Sequence, residues 1–211
     1  MDLATHWDNI YASKAPEAVS WFEADPVTSL SFLERALEEG ARSVIDVGGG
    51  ASMLVDRLLD LRVERIAVLD HSGFALRVAR ERLGDRAANV RWIIGSVTEE
   101  DDVGSFDVWH DRAVFHFLTD ADDRRHYVEL LGRTVPPGGW AVIATFALDG
   151  PERCGGLDVR RYDAQLLSSE VGDGWSLADE QAVTHVTPSH VEQRFVYGMF
   201  RRNERTEPTL P

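Results

Sequence analysis

Asp46, Gly48, Gly49 and Gly50 close a short apolar run, SVIDVGGG, and precede an amphipathic stretch. Glycine lets backbone approach a ligand closely, and the first turn of a following helix has N–H groups free to bind it. Three kinds of ligand compete for such a loop. A nucleoside triphosphate needs a Gly-Lys-Ser/Thr ending, but the chain's single lysine, Lys14, lies far upstream. A dinucleotide pyrophosphate fits in part. Gly48 and Gly50 match the start of its G-x-G-x-x-G fingerprint, whereas Met53 stands where the third glycine should be. The carboxylate of Asp46 repels a diphosphate and attracts a cation, so a positively charged nucleoside suits this loop best.

A second acid supports a nucleoside. Asp70 ends the run RIAVLD, 22 residues after Gly48, where a carboxylate can accept both ribose hydroxyls, with His71 beside it. Further on, IIGSV places Ser96 and Val97 at the end of a third apolar run. The densest group of reactive side chains is in FDVWHDRAVFHFL. There His110 could line the ligand pocket or act as a general base, Asp111 could orient it or a cationic acceptor, and Arg112 could pair with an acceptor's anion. Asp111 and Arg112 could equally pair with each other at a helix start. His116 and His126 fall among Phe115, Phe117 and Tyr127 and are expected to pack or face solvent. One cysteine and scattered histidines give no zinc-ligand spacing.

These residues need a scaffold. Apolar runs over 43–47, 65–69, 90–94, 106–110 and 140–146 read as strands, and the stretches 52–61, 72–83 and 122–135 between them read as helices. A helix over 28–39 precedes the first strand. This alternation predicts a single α/β domain with a doubly wound, mostly parallel sheet. After a helix near 162–171, two longer runs, 175–186 and 193–201, predict an antiparallel hairpin at the sheet edge. The pairs Arg124–Arg125, Arg160–Arg161 and Arg201–Arg202 read as solvated.

The order Asp46-x-Gly48-x-Gly50 after the first strand resembles the first motif of the class I S-adenosylmethionine-dependent methyltransferases. RTVPPGGWAVIAT resembles the Pro-Gly-Gly turn before their fifth strand, and the terminal hairpin fits their last two strands. The likeness spans roughly residues 28–201. It implies a Rossmann-like seven-stranded sheet in the order 3-2-1-4-5-7-6 with the seventh strand antiparallel. It also implies S-adenosylmethionine as methyl donor and S-adenosylhomocysteine as product, with Ser96 where the family usually has an acid near adenine.

Two narrower resemblances follow. HDRAVFHFLTDADDRRHYVELLGRTVPPGG is similar to thiopurine methyltransferase-like enzymes, which implies that Arg112 holds a small acceptor. HWDNIYASKAPEAVSWF, with Trp7, Tyr11 and Trp21, and the loop serine Ser52 are similar to elongation-factor-type protein-lysine methyltransferases. That likeness implies residues 1–27 as a lid over the donor; the class I likeness gives residues 28–202 as the methyltransferase domain, and the polar, proline-punctuated stretch 203–211 reads as a disordered tail. The aromatics could cap a sulfonium or merely pack.

A sulfonium methyl is already activated, so in-line positioning in a water-poor pocket supplies much of the acceleration. The expected acceptor is a small-molecule O, N or S atom, because 211 residues leave little room for a macromolecule-recognition domain. A protein lysine, or a catalytically idle adenosyl-binding module, are the alternatives. A formal charge of −14 disfavours nucleic acid. Without a signal sequence or membrane-length apolar run, a cytoplasmic monomer or homodimer is expected.

Overall fold

The computed structural model describes residues 2–204. Strand β1 (Ser43–Val47) is buried throughout, as the β-branched run SVIDV requires of a central parallel strand. It pairs in parallel with β2 (Arg65–Asp70) and β4 (Val108–Arg112); β2 pairs with β3 (Val90–Ile94) and β4 with β5 (Trp140–Phe146), again in parallel. The expected terminal hairpin is present as β8 (Trp175–Val186) and β9 (Glu192–Arg202), with β9 antiparallel to β5. The order is therefore β3-β2-β1-β4-β5-β9-β8, as the family likeness implied. A further hairpin, β6 (Arg153–Cys154) with β7 (Leu157–Asp158), was not expected.

Helices α2 (Val27–Glu38), α3 (Leu54–Asp60) and α4 (Gly73–Leu83) cover one face of the sheet, packing Leu33, Leu58 and Leu76 against Val44, Val68 and Val108. The other face carries α5 (Ala121–Thr134) and α6 (Ala164–Val171), with Leu130 and Leu167 against Ile45 and Trp109. Local signals set the ends. Ser72 caps α4, Asp120 caps α5, and Asp122 and Asp123 in the first turn of α5 suit its macrodipole. The remaining helix, α1 (Leu3–Ser13), has no buried residue and rests on α4. No helix among the described residues is long and apolar enough to cross a membrane.

Two expectations are corrected. The fourth strand starts at Val108 instead of Phe106, because the Asp107 carboxylate accepts from Arg42 N–H at 2.9 Å and the Ser43 hydroxyl at 2.8 Å before the ladder begins. Arg124 is buried rather than solvated: it donates to the Leu118 and Thr119 carbonyls and to Glu170, which Arg160 also pairs at 2.9 Å. The expected tail begins just after β9, and residues 205–211 lie outside the described residues.

Candidate active site

The carboxyl ends of β1, β2 and β4 form the floor of a cavity of about 380 Å³. Gly48 turns the chain there at φ 68°, and its N–H donates to the Leu69 carbonyl at 2.7 Å. A Cβ at Gly48 would run into Val114, so this position needs glycine for both conformation and space. Beneath the loop, Asp46 binds His110 Nδ1 through Oδ1 at 2.7 Å. Its second oxygen, Oδ2, is buried without a partner and lies where a Cβ on Gly49 would sit. A smaller cavity of about 60 Å³ continues the space past Asp46, Gly49, Ser52 and His110.

Asp70 lines the main cavity beneath α1 and accepts from Ser72 N–H at 2.7 Å. Burial raises its pKa to about 7 against that hydrogen bond, and the nearby carboxylates of Asp46 and Asp8 raise it further. His71 and Val97 also line this cavity. Ser96 does not, which corrects its assignment to the adenine contact. Its hydroxyl is used locally, by Thr98 Oγ1 at 2.7 Å and Thr98 N–H at 3.1 Å.

Strand β4 splits the expected His110, Asp111 and Arg112 group, because successive side chains point to opposite faces. His110 turns under α2, 2% exposed, and bridges Asp46 to the Ser29 hydroxyl at 2.9 Å. It lines only the smaller cavity, so it is a brace for Asp46 and not a base open to the main one. The Ser29–His110–Asp46 order has the spacing of a hydrolytic triad, but Ser29 is 1% exposed with no room beside it for an ester.

Asp111 lines neither cavity. Its oxygens accept from the N–H groups of Val114 and Phe115 and from the Tyr127 hydroxyl, fixing the turn Phe115–Phe117. Burial lifts its pKa to about 6 despite those bonds. It therefore neither touches a ligand nor pairs with Arg112. Arg112 reaches both cavities: Nε donates to Tyr197 at 3.1 Å, Nη1 donates to the Trp21 carbonyl at 3.0 Å, and Nη2 makes no hydrogen bond but forms an ion pair with Glu23 at 3.1 Å. Burial raises the Glu23 pKa, but hydrogen bonding to His185 and the Arg112 charge outweigh it, leaving Glu23 below its ordinary value. An acceptor anion would have to displace Glu23 from Arg112.

Distant segments roof the cavity. Asp8 of α1 accepts from the Ser72 hydroxyl at 2.6 Å and from Phe74 N–H at 3.0 Å, a latch on the N-terminus of α4. Trp7 lies edge to face against Trp21 (5.6 Å) and Phe117 (5.2 Å), and Trp21 Nε1 donates to the Tyr11 hydroxyl at 3.0 Å. All four aromatics line the cavity. The hydroxyl of Tyr11 hangs over Gly50, which itself lines neither cavity. Cys154, Leu157 and Asp158 of the β6–β7 hairpin complete the wall. Sequence reasoning missed them, although the Gly155–Gly156 pair, both at positive φ, is a two-residue hairpin signal. Ala113, at φ 73° on the cavity wall, carried no signal at all.

The floor fits a cationic adenosyl compound: an orphan buried carboxylate oxygen under a glycine cradle, and a second carboxylate at the tip of β2. A family described as a methyltransferase domain matches residues 45–141. Residues 45–141 thus carry a methyltransferase domain, on a sheet with the class I methyltransferase order. The two carboxylates at the strand tips fit S-adenosylmethionine as its methyl donor. Solved structures share the fold across nearly the whole methyltransferase chain. One, from work on conversion of a disulfide bond into a thioacetal group during echinomycin biosynthesis, is 20% identical with a TM-score of 0.76, covering 97% of this chain and 94% of that one. The N-methyltransferase NodS from Bradyrhizobium japonicum, in complex with S-adenosylhomocysteine, is 18% identical with a TM-score of 0.71, covering 93% and 100%. The 1,6-didemethyltoxoflavin-N1-methyltransferase of Burkholderia thailandensis is 19% identical with a TM-score of 0.66, covering 96% and 85%. No curated protein sequence matches this methyltransferase.

Proposed function

We propose that this methyltransferase acts on a small-molecule acceptor held in the roofed cavity. The observation that carries the reading is the enclosure: α1, residues 19–23 and the β6–β7 hairpin cover the strand tips and leave about 380 Å³. Sites for small ligands and cofactors run to about 300–1,000 Å³. Donor and a compact acceptor share such a space, whereas a folded protein partner needs an open approach. Two structural neighbours named as N-methyltransferases are consistent with this.

The floor residues would hold the donor. Asp46 Oδ2 would accept from an ammonium group, Asp70 from ribose hydroxyls, and Leu69 and Val97 would give apolar surface to the adenine; the unpartnered Oδ2 and the cavity lining support this reading. When bound, the donor supplies a methyl group already activated by its positively charged sulfur. The chain's own residues then position and enclose. Arg112, paired with Glu23, holds the Trp21 carbonyl, Asp111 fixes the turn that carries Phe117, and the aromatic roof excludes water.

The test is transfer of an isotopically labelled methyl group from S-adenosylmethionine to a panel of small amines, phenols and thiols, run beside a protein extract. The reading expects label in one or more small molecules. Label confined to protein lysines would overturn it and favour the lysine acceptor.

A further inference from the structure

We infer that the acceptor atom is an amine nitrogen, and that the wall of Trp7, Trp21 and Phe117 holds the positive charge it acquires. This rests on the small-molecule reading and adds the chemical class. The donor residues lie over β1 to β3, so the acceptor's share of the cavity is the part over β4 and the β6–β7 hairpin. Three aromatic rings stand there, meeting edge to face and none stacked flat on another, with ring surface left on the cavity wall. Aromatic faces arranged in this way bind ammonium groups.

The charges on the wall agree. Its one arginine, Arg112, already has Tyr197, the Trp21 carbonyl and Glu23 as partners and lies 4.7 Å over the Phe195 ring. Carboxylates line the mouth instead, Asp123 and Asp158, the latter 3.0 Å from Arg153. Among the described residues an anionic acceptor meets no lysine or arginine on this wall beyond Arg112, whose charge is already paired with Glu23.

Proton chemistry points the same way. A hydroxyl acceptor calls for a base near the transfer point. His110 is held between Asp46 and Ser29, and burial followed by the Arg112 charge pushes His116 down to about 3. His71 sits next to Asp70 at the donor end. A neutral amine needs no base before transfer: its lone pair forms the N–C bond as the S–C bond breaks, that bond's electron pair returns to sulfur, and the positive charge passes to nitrogen. Any N–H proton leaves to solvent afterwards.

The test compares choline with 3,3-dimethylbutanol, which differ by a quaternary nitrogen in place of a carbon, titrated into the protein saturated with S-adenosylhomocysteine. Choline is expected to bind about tenfold more tightly, and Phe117→Leu or Trp7→Leu to bring the ratio close to one. A wild-type ratio near one, or no detectable choline binding, overturns the inference without needing either variant to fold. Labelled methyl found in phenols or thiols but never in amines overturns it too, while leaving the small-molecule reading intact; label confined to protein overturns that reading instead.

Discussion

The floor and the roof of the cavity are built by different means. The floor, Asp46 to Gly50 with Asp70 and Val97, is held by parallel pairing of β1 with β2 and β4 and by two apolar cores. The roof rests on a few side-chain contacts from distant segments: Asp8 on α4, His6 on the Gly155 carbonyl at 2.9 Å, and Glu23 between Arg112 and His185. Helix α1 buries no residue completely. A region with few buried apolar contacts opens at a fraction of the global unfolding free energy. The floor is therefore expected to move with the fold, and the roof to open for ligand exchange without it.

Substitutions on the two sides should separate accordingly. The largest effect is expected from Gly48→Val, which forces a side chain into Val114 at a left-handed φ. It should cost about 1–3 kcal/mol of stability and weaken S-adenosylhomocysteine binding by two orders of magnitude or more, read by thermal unfolding and titration calorimetry. Asp70→Asn should weaken the same binding by roughly 1–3 kcal/mol with the fold intact.

Asp70 also gives the floor a pH signature. Its folded pKa of about 7 lies above the unfolded value of 3.8, so the native state holds this proton more tightly. Its contribution to stability is present below about pH 4 and is lost as pH rises toward 7, with Asp111 acting the same way up to about 6. Donor binding should run oppositely, strengthening between about pH 6 and 8 as Asp70 ionises to accept hydroxyls. Calorimetry in buffers of different ionisation enthalpy should show proton release on binding. Asp70→Asn should abolish that release.

On the roof, Glu23→Gln should destabilise by about 1–2 kcal/mol by leaving Arg112 short of a charge partner. The smallest effect is expected from Asp8→Ala, about 1 kcal/mol, since Asp8 serves as an additional cap for α4. Asp8→Ala should speed S-adenosylhomocysteine release and hydrogen exchange in residues 3–13 and leave exchange in 43–50 unchanged. Equal acceleration in both segments would erase the distinction between floor and roof.

The same division governs what could be read from the sequence. The sheet was legible because its signals are local: β1, β3, β5 and β8 occur at the expected bounds and β2 ends one residue later, since apolar runs and flanking turns fix them; of the floor strands only β4 was displaced, by two residues. The roof was not. Trp7, Tyr11 and Trp21 were singled out, but nothing local says that α1 docks on α4 through Asp8, a contact spanning 64 residues or more. The direction of His110 was misjudged for another reason. The two-residue displacement of β4 moved Asp111 and Arg112 onto the strand, and the pleat then sent them to opposite faces. Ser96 failed because a short hydroxyl prefers its own turn to a ligand two strands away.

The most direct test is a crystal structure of the protein with S-adenosylhomocysteine. The account predicts the ribose hydroxyls on Asp70 and the amino group beside Asp46 Oδ2, under a closed α1. An adenosyl ligand that leaves both carboxylates untouched would contradict it.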